Sequence, residues 1–564
     1  MVLQQVLYLQ PAAVADFAKV RTGCVFPALE KLAKVKHSKN FEGALFGRLK
    51  RESQLPAPTE VNIPLQGVPD DKVSSRVMLP HEILHAMYHS EAGWELCILP
   101  DPNQLRKFWA DFQHHPCMQN HPLLAKSDFS EKAIPLSLHG DEVPVVGVGK
   151  IWCHSVLQFS WNSLMATAAG RSAGDTQLFI WGVFEKFTVD GTLPFFLNLL
   201  KWSFQICFEG KWPKKDWRGL AYPPNSPEGR RAGKLLCGGY YAVLVQLNGD
   251  LDYYCKWLGL PRWSNHTKPC ALCKAAYRGA NSWLDNRSSS AWQTTMLTVH
   301  TWKEHWATEC ALFGPPLGLN GLCCSMDFMH CHFLGWLQYF YGSTLSILVN
   351  DCLPDSPIQN LLWVGRYIKK TQRDRDKKFK QRLQKLTMFQ PKKGFPKLRG
   401  RAADIQSLAS AMLALFSEKM DADNRQHREI RLFLSLNNEL DDTLDQFSPS
   451  SGFMAVPAWQ AEKLFRTGLQ MAQIHARLMD YYKGEGRKLF NMTSKTHFVL
   501  HCLHLSKYIH PKMTWCYKGE TTMHRLQILW KSCLAGSKHW QVGRKAVIKE
   551  RYRLWHRRKL RPVA

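Results

Sequence analysis

Three acidic residues, Asp141, Asp250 and Glu520, stand where a metal-binding carboxylate triad would need them. Asp141 closes Leu138-His139-Gly140-Asp141 and Asp250 closes Leu247-Asn248-Gly249-Asp250; each is a Gly-Asp pair after an apolar run that reads as a strand. Glu520 stands just ahead of a helical pattern of Met523, Leu526, Trp530 and Cys533, so the first turn of that helix can lie beside two strand ends. Carboxylates brought within a few ångströms repel. Without cations at least one keeps its proton at a raised pKa, and divalent ions remove that penalty. Mg2+ (or Mn2+) on such oxygens suits phosphodiester displacement, activating an attacking water or 3′-hydroxyl and stabilising the leaving oxygen. Taken singly, each residue has a plainer reading: Asp after Gly forms turns, and Glu ahead of a helix serves the helix dipole. Asp252 competes with Asp250, depending on where the strand ends.

Cys270 and Cys273, two residues apart after Pro269, form half of a tetrahedral thiolate site for Zn2+. The other half is to be sought among His266, His300, His305 and the cluster Cys323, Cys324, His330, Cys331 and His332; buried free thiols are the alternative. In Met326-Asp327-Phe328-Met329-His330, Asp327 and His330 read as a structural pair after a buried strand over Leu322–Met326, with proton transfer by the imidazole as the alternative.

The elements that must position these groups follow from periodicity. Ile134, Leu136 and Leu138 alternate as a half-buried strand that stops at Gly140-Asp141, and runs at Ile151–Phe159 and Leu178–Phe187 suit its neighbours in a meander. Leu193–Phe208 carries a helical period and Tyr240–Leu247 a further strand, so the expected class is α/β, a mixed sheet with packed helices. We divide the chain into an N-terminal appendage and linker (1–75), a helical segment packing on the core (76–130), the first part of the core (131–300), an all-helical insertion (301–498), a final core helix (499–537) and a basic C-terminal tail (538–564). Phe333–Val349 is interrupted by Gln338, Tyr339, Tyr341, Ser343 and Thr344 and reads as a buried helix, not a membrane span. Met1–Val20 lacks the basic start of a signal peptide.

Of the 564 residues, 45% are hydrophobic and 21% charged, which excludes wholesale disorder, collagen and coiled coil. Lys and Arg number 74 against 46 acidic residues, a net charge of +28, so polyanions are the expected partners. Residues 366–401 hold fifteen Lys or Arg, among them Lys369, Lys370, Lys377, Lys378, Lys392, Lys393 and Arg399, and the C-terminus adds Arg557 and Arg558 near Tyr552 and Trp555. These are the candidate nucleic-acid contacts, with a solvated face or a docked helix as the plainer reading. The odd count of 17 Cys at irregular spacing points to reduced thiols.

Leu136-Ser137-Leu138-His139-Gly140-Asp141-Glu142-Val143-Pro144-Val145, Gly249-Asp250-Leu251-Asp252-Tyr253-Tyr254, Pro269-Cys270-Ala271-Leu272-Cys273 and Met326-Asp327-Phe328-Met329-His330 together resemble, in order and spacing, the motifs of CACTA-type (Tnp2-like) DNA transposases. The resemblance spans about residues 80–540 and implies an RNase H-like catalytic domain interrupted by a helical insertion. It also implies Asp141, Asp250 and Glu520 as catalytic acids holding Mg2+, Asp327 and His330 as a DxxH pair, and nuclear action on transposon ends and target DNA, with a homo-oligomer and no membrane association. Two other readings stay open: a catalytically inactive or domesticated DNA-binding derivative, and an RNase H-like nuclease with another substrate. No complete C2H2 finger or helix-turn-helix signature stands before residue 130, where a module reading the element's own ends is expected.

Overall fold

The computed structural model describes residues 55–90, 92–145, 154–306, 310–372, 383–534 and 537–559. Most of the expected N-terminal appendage, Lys377, Lys378 and the side chains of Arg557 and Arg558 lie outside the described residues. A short antiparallel pair, β1 (Thr59–Val61) and β2 (Ser75–Val77), precedes α1 (Pro80–Tyr88) and α2 (Asn103–Phe112). The segment after β2 packs on the core as expected: Trp109 Nε1 donates to the carbonyl of Ala133 at 2.8 Å, and His81 of α1 meets Ser203 Oγ at 2.8 Å.

The central sheet has four strands, β3 (Ala133–Pro144), β4 (Ser155–Ser163), β5 (Leu178–Phe184) and β6 (Tyr241–Asn248), in the order β5-β4-β3-β6. The first three form the expected antiparallel meander; β6 returns parallel to β3 after the crossover helix α3 (Thr192–Glu209). Parallel neighbours require such a crossover, because a tight turn joins only antiparallel strands. The expected strand over Leu322–Met326 shrinks to one bridge: Cys324 pairs with Leu247, and Ser325 N donates to Leu247 O at 3.2 Å. Residues 321–323 form a 3-10 turn there, led by Asn320, whose side chain accepts from Leu322 N and so bends the chain locally.

Both faces of the sheet are covered, and successive β4 residues show how. Phe159 stacks toward Phe196 of α3, with centroids 4.8 Å apart, whereas Gln158 reaches Met523 on the other face. Met523 belongs to α11 (Tyr517–Ser532), which shares that face with α12 (His539–Lys559). The expected basic tail is therefore a docked helix, with Val542, Ala546, Val547 and Tyr552 buried. Its Lys and Arg run still leaves an apolar face wide enough to pack.

Between β6 and α11 the chain is helical apart from loops. After α4 (Leu251–Leu258) come α5, a continuous run of π-, α- and π-turns over Met329–Leu337, Gln338–Ile347 and Leu348–Cys352, then α6 (Pro357–Thr371), α7 (Ala409–Lys419), α8 (Arg425–Gln446), α9 (Ala458–Gly484) and α10 (Ser494–Leu505). The helical portion runs past residue 498, because α10 packs on α9 and α5 and belongs with them. Phe333–Val349 is buried within α5, and among the described residues no helix is long and apolar enough to cross a membrane.

Candidate active site and metal centre

Strand register places the first two acids. The β3–β6 pairing runs to His139 opposite Asn248; Asp141 and Asp250 each lie two residues farther on, side by side at the edge of the parallel pair. Against expectation, β3 does not stop at Gly140-Asp141 but continues to Pro144, since Asp141 still pairs with Gln158 of β4. Asp250 is the N-cap of α4: its Oδ1 accepts from Tyr253 N at 2.6 Å. Asp252 points to solvent in the first turn of α4, so Asp250 is the acid that adjoins Asp141.

The glycine before each aspartate has a common cause. A Cβ on Gly140 would stand 2.0 Å from the Tyr253 ring, and one on Gly249 would stand 2.3 Å from that ring and 2.9 Å from the carbonyl oxygen of Gly140. The buried phenol thus packs across both glycines and draws the two strand ends together. Burial, and then the charge of Asp250, push the Asp141 carboxyl up to about 7. A half-buried carboxyl held protonated by its acidic neighbour is a place prepared for a cation.

His139 and Asp141, two apart on β3, share the face on which α11 lies. Contact is close: a Cβ on Gly519 of α11 would come 2.6 Å from His139 Nε2. Burial takes His139 down to about 4, so it is neutral at pH 7. Next to it, Asp327 is a hydrogen-bond hub. Its Oδ1 accepts from Met329 N at 3.0 Å and from Cys516 N at 3.1 Å, tying the start of α5 to the start of α11, while Oδ2 pairs with His330 Nδ1. Burial pulls the His330 pKa down, but the hydrogen bond and charge of Asp327, aided by Glu520, outweigh it and hold the imidazole above its ordinary value.

His330 links the acids. Its Nε2 lies 3.8 Å from Glu520 Oε1, and its charge also acts on Asp141. Asp141, Asp250, Asp327, His330 and Glu520 therefore gather on one side of the sheet. Glu520 is the outermost and is exposed; burial and then Asp327 raise its pKa, opposed by His330 and Arg401. Its electrostatic partners are the DxxH pair, not Asp141 or Asp250. Cys516 brings its Sγ within 4.8 Å of ligand atoms on Asp327 and His330. Burial and the charges of Asp327, Asp141 and Asp250 keep that thiol protonated.

A second constellation is a closed metal centre. Cys270, Cys273, His497 and His501 are all buried, and their ligand atoms lie within 4.8 Å of one another. Cys270 Sγ is 3.3 Å and Cys273 Sγ 3.4 Å from His501 Nε2; Cys273 Sγ is 3.3 Å from His497 Nε2, and the two Nε2 atoms are 2.9 Å apart. A tetrahedron with bonds of 2.0–2.3 Å has edges of about 3.3–3.8 Å, so these four can hold a metal ion such as Zn2+ after a small outward movement. Burial alone would raise the Cys270 thiol, but hydrogen bonds from Cys273, His497 and His501 and the charge of His501 hold it well below its ordinary value. The Nδ1 atoms of both histidines are buried without an acceptor, and Trp292 packs edge-on to His497 with centroids 4.5 Å apart.

The CxxC half was legible in the sequence and the histidine half was not. His266, His300, His305 and the 323–332 cluster do not complete the site. The missing ligands are a His-x3-His pair one turn apart on α10, which such spacing places on one helix face. Among the other sequence candidates, Lys369, Lys370, Lys392, Lys393 and Arg399 are solvent-exposed. All the described cysteines are free thiols. No protein-family model and no curated protein matches the chain.

Proposed function

We propose that this protein is a DNA-cutting and strand-transferring enzyme of the CACTA-transposase type, built on an RNase H-like core and working in the nucleus on transposon ends and target DNA. The observation that carries this reading is the placement of Asp141 and Asp250 at matched positions on adjacent parallel strands, with Asp141 held protonated by its neighbour. The order β5-β4-β3-β6, with β6 parallel to β3 and a bridge at Cys324 where a fifth strand would begin, supports an RNase H-like arrangement. So does the helical insertion standing between β6 and the helix that bears the last acid.

Asp141 and Asp250 would hold Mg2+ or Mn2+, with Glu520 as the third acid. The bound cation would supply charge for the attacking and leaving oxygens of a phosphodiester. The chain's own residues do the positioning. Asp327 locks His330 between Asp141 and Glu520, and the His330 cation keeps Glu520 beside the pair while its carboxylate neighbours remain close. His139 beneath them stays neutral and adds no competing charge.

The deciding experiment is nicking of a supercoiled plasmid, and cleavage and joining of terminal-repeat duplexes, with Mg2+ or Mn2+. Wild type should act and Asp141→Ala should not; equal activity of the two would overturn the assignment. One observation favours a second reading, a DNA-binding derivative without catalysis: Glu520 is paired with His330 and is solvent-exposed, so the third carboxylate is already engaged. On that reading DNA is bound and no divalent-dependent nicking occurs.

A further inference from the structure

One face of α5 carries Gly335, Tyr339 and Gly342, at the four- and three-residue spacings that align side chains along a helix. Lysines from two distant segments lie on this stripe. Lys495, at the start of α10, lays its stem across Gly335: a Cβ there would be 2.6 Å from Lys495 Cδ. Its Nζ lies 3.4 Å from the carbonyl oxygen of His330. Lys397 follows the basic stretch, and its segment runs along α5. The backbone nitrogen of Lys397 is 2.8 Å from where a Gly342 Cβ would stand, Leu398 N donates to Gln338 O at 2.8 Å, and the Lys397 ammonium sits 5.2 Å from the Tyr339 ring centre.

The two ammonium groups feel each other. Burial and then the charge of Lys495 lower the Lys397 pKa. Both side chains are half-buried, and among the described residues neither forms an ion pair with a carboxylate. Two cations held together without a counter-ion are unfavourable until an anion joins them. The charge of Lys495 also acts on His330, which contacts the carboxylate site, and Arg401, four residues beyond Lys397, acts on Glu520. The anion position therefore adjoins the acids, at the end of a stretch of chain rich in Lys and Arg.

We propose that Lys397 and Lys495 form the seat for one backbone phosphate of the DNA strand entering the carboxylate site, with Arg401 at its rim. This assignment rests on the reading of that site as one that cuts phosphodiesters. A DNA phosphate suits the position better than a free small anion, because the basic run 366–401 that leads to it can follow neighbouring phosphates of the same strand.

The test is binding of a fluorescent DNA duplex by the full-length chain in EDTA, where no chemistry occurs, over a range of salt concentrations. Lys397→Gln/Lys495→Gln should weaken binding roughly tenfold on all sequences and flatten the slope of log K against log salt by about 0.9, the loss of one phosphate contact. Lys397→Arg/Lys495→Arg should retain both. Gly335→Ala displaces the Lys495 stem without removing charge and should give an intermediate loss. Unchanged affinity and slope in a folded double Gln variant would overturn the seat. So would inorganic phosphate that binds wild type in preference to the variant while both bind DNA equally. Mg2+-dependent nicking by the same proteins separates the two claims. A binding defect without nicking by wild type keeps the seat and removes the catalytic reading; nicking with unaltered binding in the variant does the reverse.

Discussion

Asp141 couples stability, protons and metal. Its pKa of about 7 in the folded chain lies above the ordinary carboxylate value of about 4, so the folded state holds a proton that the unfolded state has lost. The sign follows: this group's stabilising contribution is complete below about pH 4 and is lost as pH rises to about 7, on the order of a few kcal/mol. In EDTA, thermal stability should fall across that window, and Asp141→Asn should flatten the fall. Mg2+ should restore wild type most strongly above pH 7, and its affinity should drop about tenfold per pH unit below that, since binding expels the proton. Calorimetric metal titrations at pH 5.5 to 8 check this, and an affinity independent of pH would contradict it. At the other centre, purified protein should carry about one zinc per chain by elemental analysis. His501→Ala, which removes the nitrogen that lies 3.3 and 3.4 Å from the two sulfurs, should release the metal and lower the melting temperature. Retention of full zinc in that variant would exclude the four-residue assignment.

Elements convert these residues into a site, and here the sequence was informative unevenly. Alternating runs marked β3, β4, β5 and β6, and two Gly-Asp pairs marked the strand ends, because strand patterns and turn formers are local signals. What decided the geometry was not local. The packing of Tyr253 across Gly140 and Gly249, the extension of β3 to Pro144 through pairing with Gln158, and the pairing of Cys270 and Cys273 with histidines on α10 depend on partners far apart in the chain. The reading of α12 as a tail failed because its charges outnumber its apolar residues, although those apolar residues share a face. The Tyr253 arrangement yields a sharp expectation. Gly140→Ala puts a methyl into the phenol ring, where no flexible end can move aside, and should destabilise the protein by about 1–3 kcal/mol or more. Tyr253→Leu/Gly140→Ala should recover part of that loss, measured by denaturant unfolding. Additive effects of the two changes would show that the ring is not what the glycine accommodates.

At the scale of the whole molecule, α12 fastens the first described residues to the last. Arg551 donates to the carbonyls of Leu55 and Pro56, and Arg544 Nη1 donates to Val73 O at 3.2 Å, so the β1–β2 pair is held to the sheet by the C-terminal helix. The helix itself is anchored by an interior ion cluster. Glu550, fully buried, takes Arg553 at 2.7 and 2.9 Å and also pairs with Arg525 of α11. Burial would raise the Glu550 pKa, but the charges of Arg525 and Arg553 outweigh it and bring the carboxyl down to about 2. Because the folded pKa is depressed, this contribution is present above about pH 4.3 and disappears as pH falls toward 2, an amount of about 3 kcal/mol. Glu550→Gln leaves two buried guanidinium groups without their counter-charge and should cost about 3–5 kcal/mol at pH 7, more than the attraction it removes. At pH 2 to 3, where the wild-type carboxyl is itself becoming neutral, the gap between the two proteins should narrow. Urea unfolding of both at pH 7 and pH 3 measures it. A gap equally wide at the two pH values would mean that the side chain's shape, rather than its charge, secures α12 to α11 and, through them, the helix that carries Glu520.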